Sequence, residues 1–243
     1  MGQLPCSKEL LPITNHPSTL SPTPPVTVVG QLLLAQYAAT GCSRTCIVTA
    51  PEKKDIQAYF GEQIGNMTLA YSYLDSPSTA HSIDACYAQT KNKYVLLGFP
   101  DIVLPVNNAF NVLISAWNDQ PCDVLLGLFG TNHPSAVDMV RLDKTGNVTD
   151  IAIKQPQLPD SYIYTWSIAL WSPKFTEYLH AQLLELYTHS ASMDKELFVG
   201  DIITAAMDAG MSTRGVVVST QPSLDIGTPR TYFATISEMS SDQ

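Results

Sequence analysis

The sequence predicts an α/β fold, a mostly parallel sheet flanked by helices, and three observations carry that reading. Short apolar runs alternate along the chain with longer stretches of helical period. Two of the runs, Tyr94–Leu97 (YVLL) and Val124–Leu128 (VLLGL), are continuously apolar, as strands covered on both faces are. Three helical stretches stop at a glycine (Gly41, Gly61 and Gly210), the residue that most readily takes the left-handed conformation just past a helix end.

Taken in order, Pro12 to Pro25 is a Pro/Ser/Thr stretch that reads as an extended surface loop. Val29–Thr40 follows as a helix, then Thr45–Thr49 (TCIVT) as a β-rich run and Glu52–Phe60 as a second helix. Met67–Tyr73 alternates as a strand does, and Thr79–Gln89 has helical period. Tyr94–Leu97 is a strand, Asn108–Trp117 a helix and Val124–Leu128 a strand. Ile163–Trp171 and Val216–Ser219 are further strands, separated by helices at Lys174–Thr188 and Asp201–Ala209. No internal repeat or linker is visible, so residues 1–236 read as one domain and 237–243 (SEMSSDQ) as a flexible tail. A chain of 243 residues, 45% hydrophobic and 14% charged, is long enough for such a domain and too apolar to be disordered throughout.

The charge balance narrows the partners. Twenty-two acidic against 13 basic residues give a net charge of −9, with no Lys/Arg run. A protein that grips a nucleic-acid backbone needs a basic face, so nucleic acid is not expected. No stretch approaches the ~18 apolar residues of a membrane span, so no membrane is expected either. MGQLPCSKEL lacks the apolar segment of a signal peptide. The five cysteines are therefore expected as reduced thiols in a cytoplasmic protein.

Four constellations could carry chemistry: Lys8 between Pro5 and Pro12; Asp101 directly after an apolar strand; Lys154 leaving another strand; and Asp225 beside a Gly–Pro turn that opens a final helix. Each alone has an ordinary structural reading, a turn former or a solvated charge. Together, two carboxylates and two lysines at the carboxyl ends of strands are what Mg²⁺ and a pair of phosphates require. His81 and His133 lack a partner at metal-ligand spacing and read as structural. Trp117, Trp166 and Trp171 read as core or pocket walls.

These segments, in this order, resemble the sugar-1-phosphate nucleotidyltransferases, the glucose-1-phosphate thymidylyltransferase-like family. The resemblance runs from Leu4 to about Ala234, and its most specific pieces are SKELLPI (Ser7–Ile13), CIVTAPE (Cys46–Glu52), LLGFPDI (Leu96–Ile102) and DIGTP (Asp225–Pro229). It implies a Rossmann-like nucleotide-diphospho-sugar transferase (GT-A-like) fold. The implied activity joins a nucleoside triphosphate to a sugar 1-phosphate, giving an NDP-sugar and pyrophosphate. By the same resemblance Lys8 contacts the nucleotide phosphates, Lys154 holds the sugar phosphate, and Asp101 and Asp225 bind Mg²⁺. The family's base-reading Gln falls at Tyr73 or Leu74, and its close-approach Gly at Ser78.

The family's Gly-rich loop and first strand would lie ahead of Leu4, where this sequence has only Met1–Gln3. In the family's sheet that strand is central, so a gap is expected in the core. Its expected consequences are poor solubility, dimerisation through the gap or weak nucleotide binding. Two readings stand at this point: a nucleotidyltransferase, and a non-catalytic relative with a binding or regulatory role. Geometry bears on both. A shared metal requires the Asp101 and Asp225 oxygens to come within roughly 6 Å, and Lys8 and Lys154 should face one cleft.

Overall fold

The apolar run at 124–130 becomes a strand buried along nearly its whole length, and the rest of the molecule is arranged about it. In this computed structural model residues 6–13, 27–76, 78–189, 197–233 and 235 are described, the side chains of 186–189 excepted. Beyond Ile13 the expected Pro-rich loop lies outside the described residues, as does the expected tail at 237–243.

A 3-10 turn at Lys8–Leu10 leads to β1 (Pro12–Ile13), which pairs antiparallel with β2 (Thr27–Val28) ahead of α1 (Val29–Ala39). Next come β3 (Arg44–Thr49), α2 (Lys54–Phe60), β4 (Gln63–Ile64) and β5 (Met67–Tyr73). These three strands form a small sheet in which β5 is central, parallel to β3 and antiparallel to β4. The single helix expected at 79–89 is two, α3 (Thr79–Asp84) and α4 (Tyr87–Thr90). The break falls at Ala85–Cys86, where Cys86 turns toward β3 and forms a disulfide with Cys46. That disulfide corrects the expectation of reduced thiols; Cys6, Cys42 and Cys122 are free. Its basis is proximity, because β3 and the α3–α4 junction are neighbours in space although 40 residues apart.

The chain continues through β6 (Val95–Gly98), β7 (Ile102–Val103), α5 (Ala109–Asp119), β8 (Val124–Gly130), β9 (Met139–Leu142), β10 (Val148–Ala152) and β11 (Tyr164–Trp171). It ends with α6 (Pro173–His189), α7 (Val199–Asp208), β12 (Thr213–Pro222), β13 (Leu224–Asp225) and helical residues 229–233. The larger sheet has the order β10-β9-β11-β8-β12, with β6 also on β11. Pairing is mixed: β8 and β12 are parallel, while β11 is antiparallel to β6, β8 and β9. The expected α/β class with helix-flanked sheets is what the structure shows; the sheet expected to be mostly parallel is mixed, because β11 runs antiparallel to β6, β8 and β9.

Helices cover both faces of this sheet. On one, Phe110 and Leu113 of α5 are fully buried with Leu125, Phe129 and Ile168, and α1 and the small sheet join the same core. On the other, Phe175, Leu179 and Ile203 of α6 and α7 pack with Leu126, Leu128 and Trp171. Each large aliphatic side chain so buried contributes about 1.5–3 kcal/mol relative to exposure. Gly98, at the end of β6, is required by close packing: a Cβ there would lie 2.6 Å from Leu33 and 3.0 Å from the Tyr37 hydroxyl.

Among the described residues no strand joins the two sheets. Among the described residues β3 pairs only with β5 and β6 only with β11, so each has one edge without a partner strand among them. Both edges line one cavity of about 1260 Å³. Its position explains a burial pattern that sequence alone contradicts: the apolar residues of β6 and most of β3 are only half-buried. No helix among the described residues is long and apolar enough to cross a membrane.

Candidate functional site

Lys8 is placed by the chain on either side of it. Ser7 donates from its backbone N and its Oγ to the Asp55 carboxylate, both at 2.7 Å, and the Glu9 carboxylate accepts from Lys53 at 3.0 Å. These contacts tie the Lys8–Leu10 turn to the start of α2. From there Lys8 Nζ donates to Asp101 Oδ2 at 2.5 Å. Burial alone pulls the Lys8 pKa down, but the hydrogen bond to Asp101 and the charges of Asp101, Glu9 and Asp225 outweigh it and raise the pKa above the usual 10.5. The stabilisation this provides is therefore complete below pH 10.5 and is lost only as pH rises through the higher folded-state value. Through the neutral range Lys8 is a fixed cation.

Asp101 leaves the loop after β6, and Asp225 ends β13. β7 and β13 bring them together by pairing antiparallel, Asp225 opposite Ile102, with Ile226 N donating to the Asp101 carbonyl at 3.0 Å. A second tie, Ser223 to Ser167 at 2.9 Å, anchors the approach to β13 on β11. Gly227 then turns the chain between the charged groups, its N–H donating to Asp225 Oδ1 at 2.6 Å. A Cβ on Gly227 would sit 2.8 Å from Asp225 Oδ1, 3.3 Å from Asp101 Oδ2 and 3.5 Å from Lys8 Nζ. A glycine is needed because the space above it belongs to the three charges. The first two distances cap the separation of the carboxylate oxygens at about 6.1 Å.

Lys154 belongs to a second group. It has a positive φ of 43°, and its Nζ lies 4.0 Å from the centre of the Phe198 ring. Its charged neighbours include Asp138, whose Oδ1 is buried without a hydrogen-bond partner among the described residues. Burial pushes the Asp138 carboxyl up to about 6, with Lys154 opposing the rise and Asp201 adding to it. Side chains link the two groups: Phe99, two residues before Asp101, packs its ring on Trp166 at 6.0 Å, and Trp166 faces Asp138. No direct contact joins Lys154 to Lys8 among the described residues.

Asp138 gave no sequence signal, since a lone Asp before a strand is an ordinary turn residue. Its raised pKa means that the folded state holds a proton that the unfolded state releases near pH 3.8. Stability contributed here therefore falls as pH rises from about 4 to about 6 and stays reduced above that. Asp138→Asn should flatten this fall by about 2–3 kcal/mol, read from denaturant melts at pH 4 and pH 7.5. An unchanged pH profile would contradict the burial argument.

The other two positions singled out by sequence are occupied locally. The Tyr73 hydroxyl donates to Gln57 Oε1, and Tyr73 is 42% exposed. Ser78 is buried as the N-cap of α3, its Oγ accepting from His81 N and lying 2.7 Å from His81 Nδ1. His81 is thus packed inside the fold, and Trp117, Trp166 and Trp171 are buried as wall and core residues.

Two carboxylates this close suit a hard divalent cation that takes one or two protein oxygens and leaves its remaining positions to phosphate and water. Among the described residues no group of three or more His, Cys, Asp or Glu gathers, which does not fit a four-ligand zinc centre.

No protein-family model matches the sequence, and no curated protein does. Solved structures share the fold. One described as a glucose-1-phosphate thymidylyltransferase from Bacillus anthracis, complexed with sucrose, superposes with a TM-score of 0.74 at 16% identity, covering 96% of this chain and 87% of its own. A UDP-glucose pyrophosphorylase complexed with UDP-glucose gives 0.74 at 14%, covering 97% and 91%. An inositol-1-phosphate CTP transferase from T. maritima gives 0.66 at 15%, covering 88% and 82%. At such identities these likenesses show the fold.

Proposed function

We propose that the chain is a nucleotidyltransferase-like protein whose rim takes a nucleoside triphosphate and a sugar 1-phosphate and joins them into an NDP-sugar with release of pyrophosphate. The observation that carries this reading is the meeting of Lys8, Asp101 and Asp225 around Gly227. A cation between two carboxylates, at the carboxyl end of a strand, is an arrangement for binding polyphosphate with a metal. The architecture shared with solved sugar-phosphate nucleotidyltransferases supports it at the level of fold.

On this reading an oxygen of the sugar phosphate attacks the α-phosphorus in line and pyrophosphate leaves. No side chain need act as nucleophile, so the protein contributes position and charge. Asp101 and Asp225 would hold Mg²⁺, which when bound neutralises phosphate charge and orients the phosphates. Lys8 would stabilise the leaving pyrophosphate. Lys154, whose ammonium lies over the Phe198 ring, would hold the attacking phosphate, and Tyr73 and Ser78 mark the region nearest the base. Lys154→Ala should raise the KM for sugar phosphate by roughly 10–100-fold, the loss of one charge-assisted contact, with little change for nucleotide. Equal weakening of both substrates would remove Lys154 from this role.

A second reading, a binding or regulatory protein without turnover, is favoured by the open cavity between β3 and β6 beside Lys8. Pyrophosphate release measured over a panel of nucleoside triphosphates and sugar 1-phosphates with Mg²⁺, alongside calorimetric binding, separates the two. Turnover supports the first, binding without turnover the second, and no binding of either substrate overturns both.

A further inference from the structure

Asp138 is held in place by its main chain, and its side chain is left over. The residue precedes β9, whose Met139 pairs with Ala152 of β10 on one side and with Thr165 of β11 on the other. Thr165 Oγ1 donates to the Asp138 carbonyl at 2.8 Å, fixing the start of the strand through the backbone. The carboxylate takes no part in this: Oδ1 is buried with no hydrogen-bond partner among the described residues. Trp166 Nε1, buried beside it, is near enough to favour the charged carboxylate yet lacks the geometry of a hydrogen bond. A buried acceptor and a buried donor, neighbours and both unpaired, are costly in a structural turn. In a binding site the ligand completes the pairing.

The elements packed around it fix the carboxylate and set a cation near it. Gly200 lets the first turn of α7 come down onto Asp138 and Ile153: a Cβ there would lie 2.4 Å from Ile153 Cδ1 and 2.9 Å from Asp138 Oδ2. The β9–β10 register, Met139 opposite Ala152, brings the chain at Ile153 and Lys154 beside Asp138. Lys154 has a φ of 43°, a conformation that residues other than glycine take at a cost. Its ammonium lies over the Phe198 ring at 4.0 Å rather than on the carboxylate. An anion and a cation thus stand near each other without pairing. Lys154 is exposed and Asp138 half-buried, so both are reached from solvent.

We infer that Asp138 determines which sugar phosphate this protein accepts, its carboxylate taking a hydrogen bond from one ring donor, a hydroxyl or an amino group, of the molecule whose phosphate Lys154 holds. This rests on the nucleotidyltransferase reading for the phosphate and extends it to the choice of sugar. At pH 7.5, above a pKa of about 6, the carboxyl is ionised and can only accept. A sugar that offers no donor at the facing position leaves this charge buried and unpaired, so the site rejects it. The loss of one charge-assisted bond is expected to weaken binding by roughly 10–100-fold. A site built to pair with a hydroxyl discriminates in this way more sharply than an apolar one.

The test is calorimetric binding of the 1-phosphates of glucose, galactose and mannose, and of analogues lacking one ring hydroxyl each. Mg²⁺ is present with α,β-methylene analogues of thymidine, uridine and cytidine triphosphates, which cannot react. In the native chain one missing hydroxyl is expected to weaken binding by roughly 10–100-fold. Asp138→Asn should cut that penalty by roughly threefold or more and Asp138→Ala should remove it, with triphosphate affinity unchanged in both. Asp138→Asn keeps the shape of the side chain and removes a buried charge, so it carries the test even where Asp138→Ala does not fold. Amino-for-hydroxyl analogues separate the two donors: an ammonium binds the native chain more tightly than the hydroxyl and loses that advantage in Asp138→Asn, whereas a hydroxyl keeps part of its preference there. Hydroxyl preferences that are the same in the native chain and the variants, or a native chain that binds every analogue alike, would overturn the role of Asp138 and leave the nucleotidyltransferase reading standing. Binding of no sugar 1-phosphate to the native chain would overturn that reading and the selection by Asp138 with it.

Discussion

On the proposed nucleotidyltransferase reading, replacing Asp101 by Asn is expected to lower pyrophosphate release by on the order of 100-fold or more and leave the fold in place. The substitution keeps the shape of the side chain and the backbone carbonyl that accepts from Ile226, so the β7–β13 pairing persists. It removes the negative charge that faces both Lys8 and the space above Gly227. The side chains of the Lys8–Asp101 pair are 32% and 22% exposed, and a solvent-accessible pair of this kind contributes about 1 kcal/mol or less. A small shift in melting with a large loss of rate is thus the expected combination. Asp225→Asn should behave alike, with the Mg²⁺ concentration for half-maximal rate rising in both. Lys8→Ala should instead weaken nucleotide binding by roughly 10–100-fold at unchanged Mg²⁺ dependence. Unfolding of Asp101→Asn would assign Asp101 to structure, and an unchanged rate and Mg²⁺ dependence in both Asn variants would end the metal proposal.

How much of this could be read from sequence depends on the range of the interaction. The buried strands were legible because continuous apolar runs such as VLLGL report burial on both faces without reference to a partner. Strand direction was not: YTWSIALW reads the same beside parallel or antiparallel neighbours, and β11 is antiparallel to all three of its partners. The β9–β10 hairpin has no apolar run to announce it, although Asp143–Asn147 (DKTGN) carries its turn chemistry. There the Asp143 carboxylate accepts from the backbone N–H groups of Thr145 and Asn147, and Gly146 takes a φ of 85°.

At the site, Lys8, Asp101 and Asp225 were recognisable as a set because each sits in a distinctive short segment. What joins them, two strands of two residues each, is too short to produce any periodicity. The Ser7–Asp55 and Glu9–Lys53 ties link residues 48 and 44 apart and leave no local mark. Asp138 shows the same limit from the other side, since its pKa is set by burial, which comes from the packing of Trp166 and α7 around it rather than from its neighbours in sequence.

The largest effect on stability is expected from the Cys46–Cys86 disulfide. It closes a loop of 40 residues, and restricting a loop of that length in the unfolded chain stabilises the folded one by about 4 kcal/mol. Its location adds to this. Cys46 lies on β3, which lines the cavity and has no second partner strand among the described residues, and Cys86 is buried at the α3–α4 junction. The bridge is therefore a covalent tie between β3 and the helices packed over it. Cys46→Ser with Cys86→Ser, or reduction of the native chain, should lower the melting temperature by roughly 8–16 °C. Thiol titration of the unfolded chain under non-reducing conditions should find three free thiols among the five cysteines. Five free thiols with an unchanged melt in reductant would show that β3 is held without the bridge.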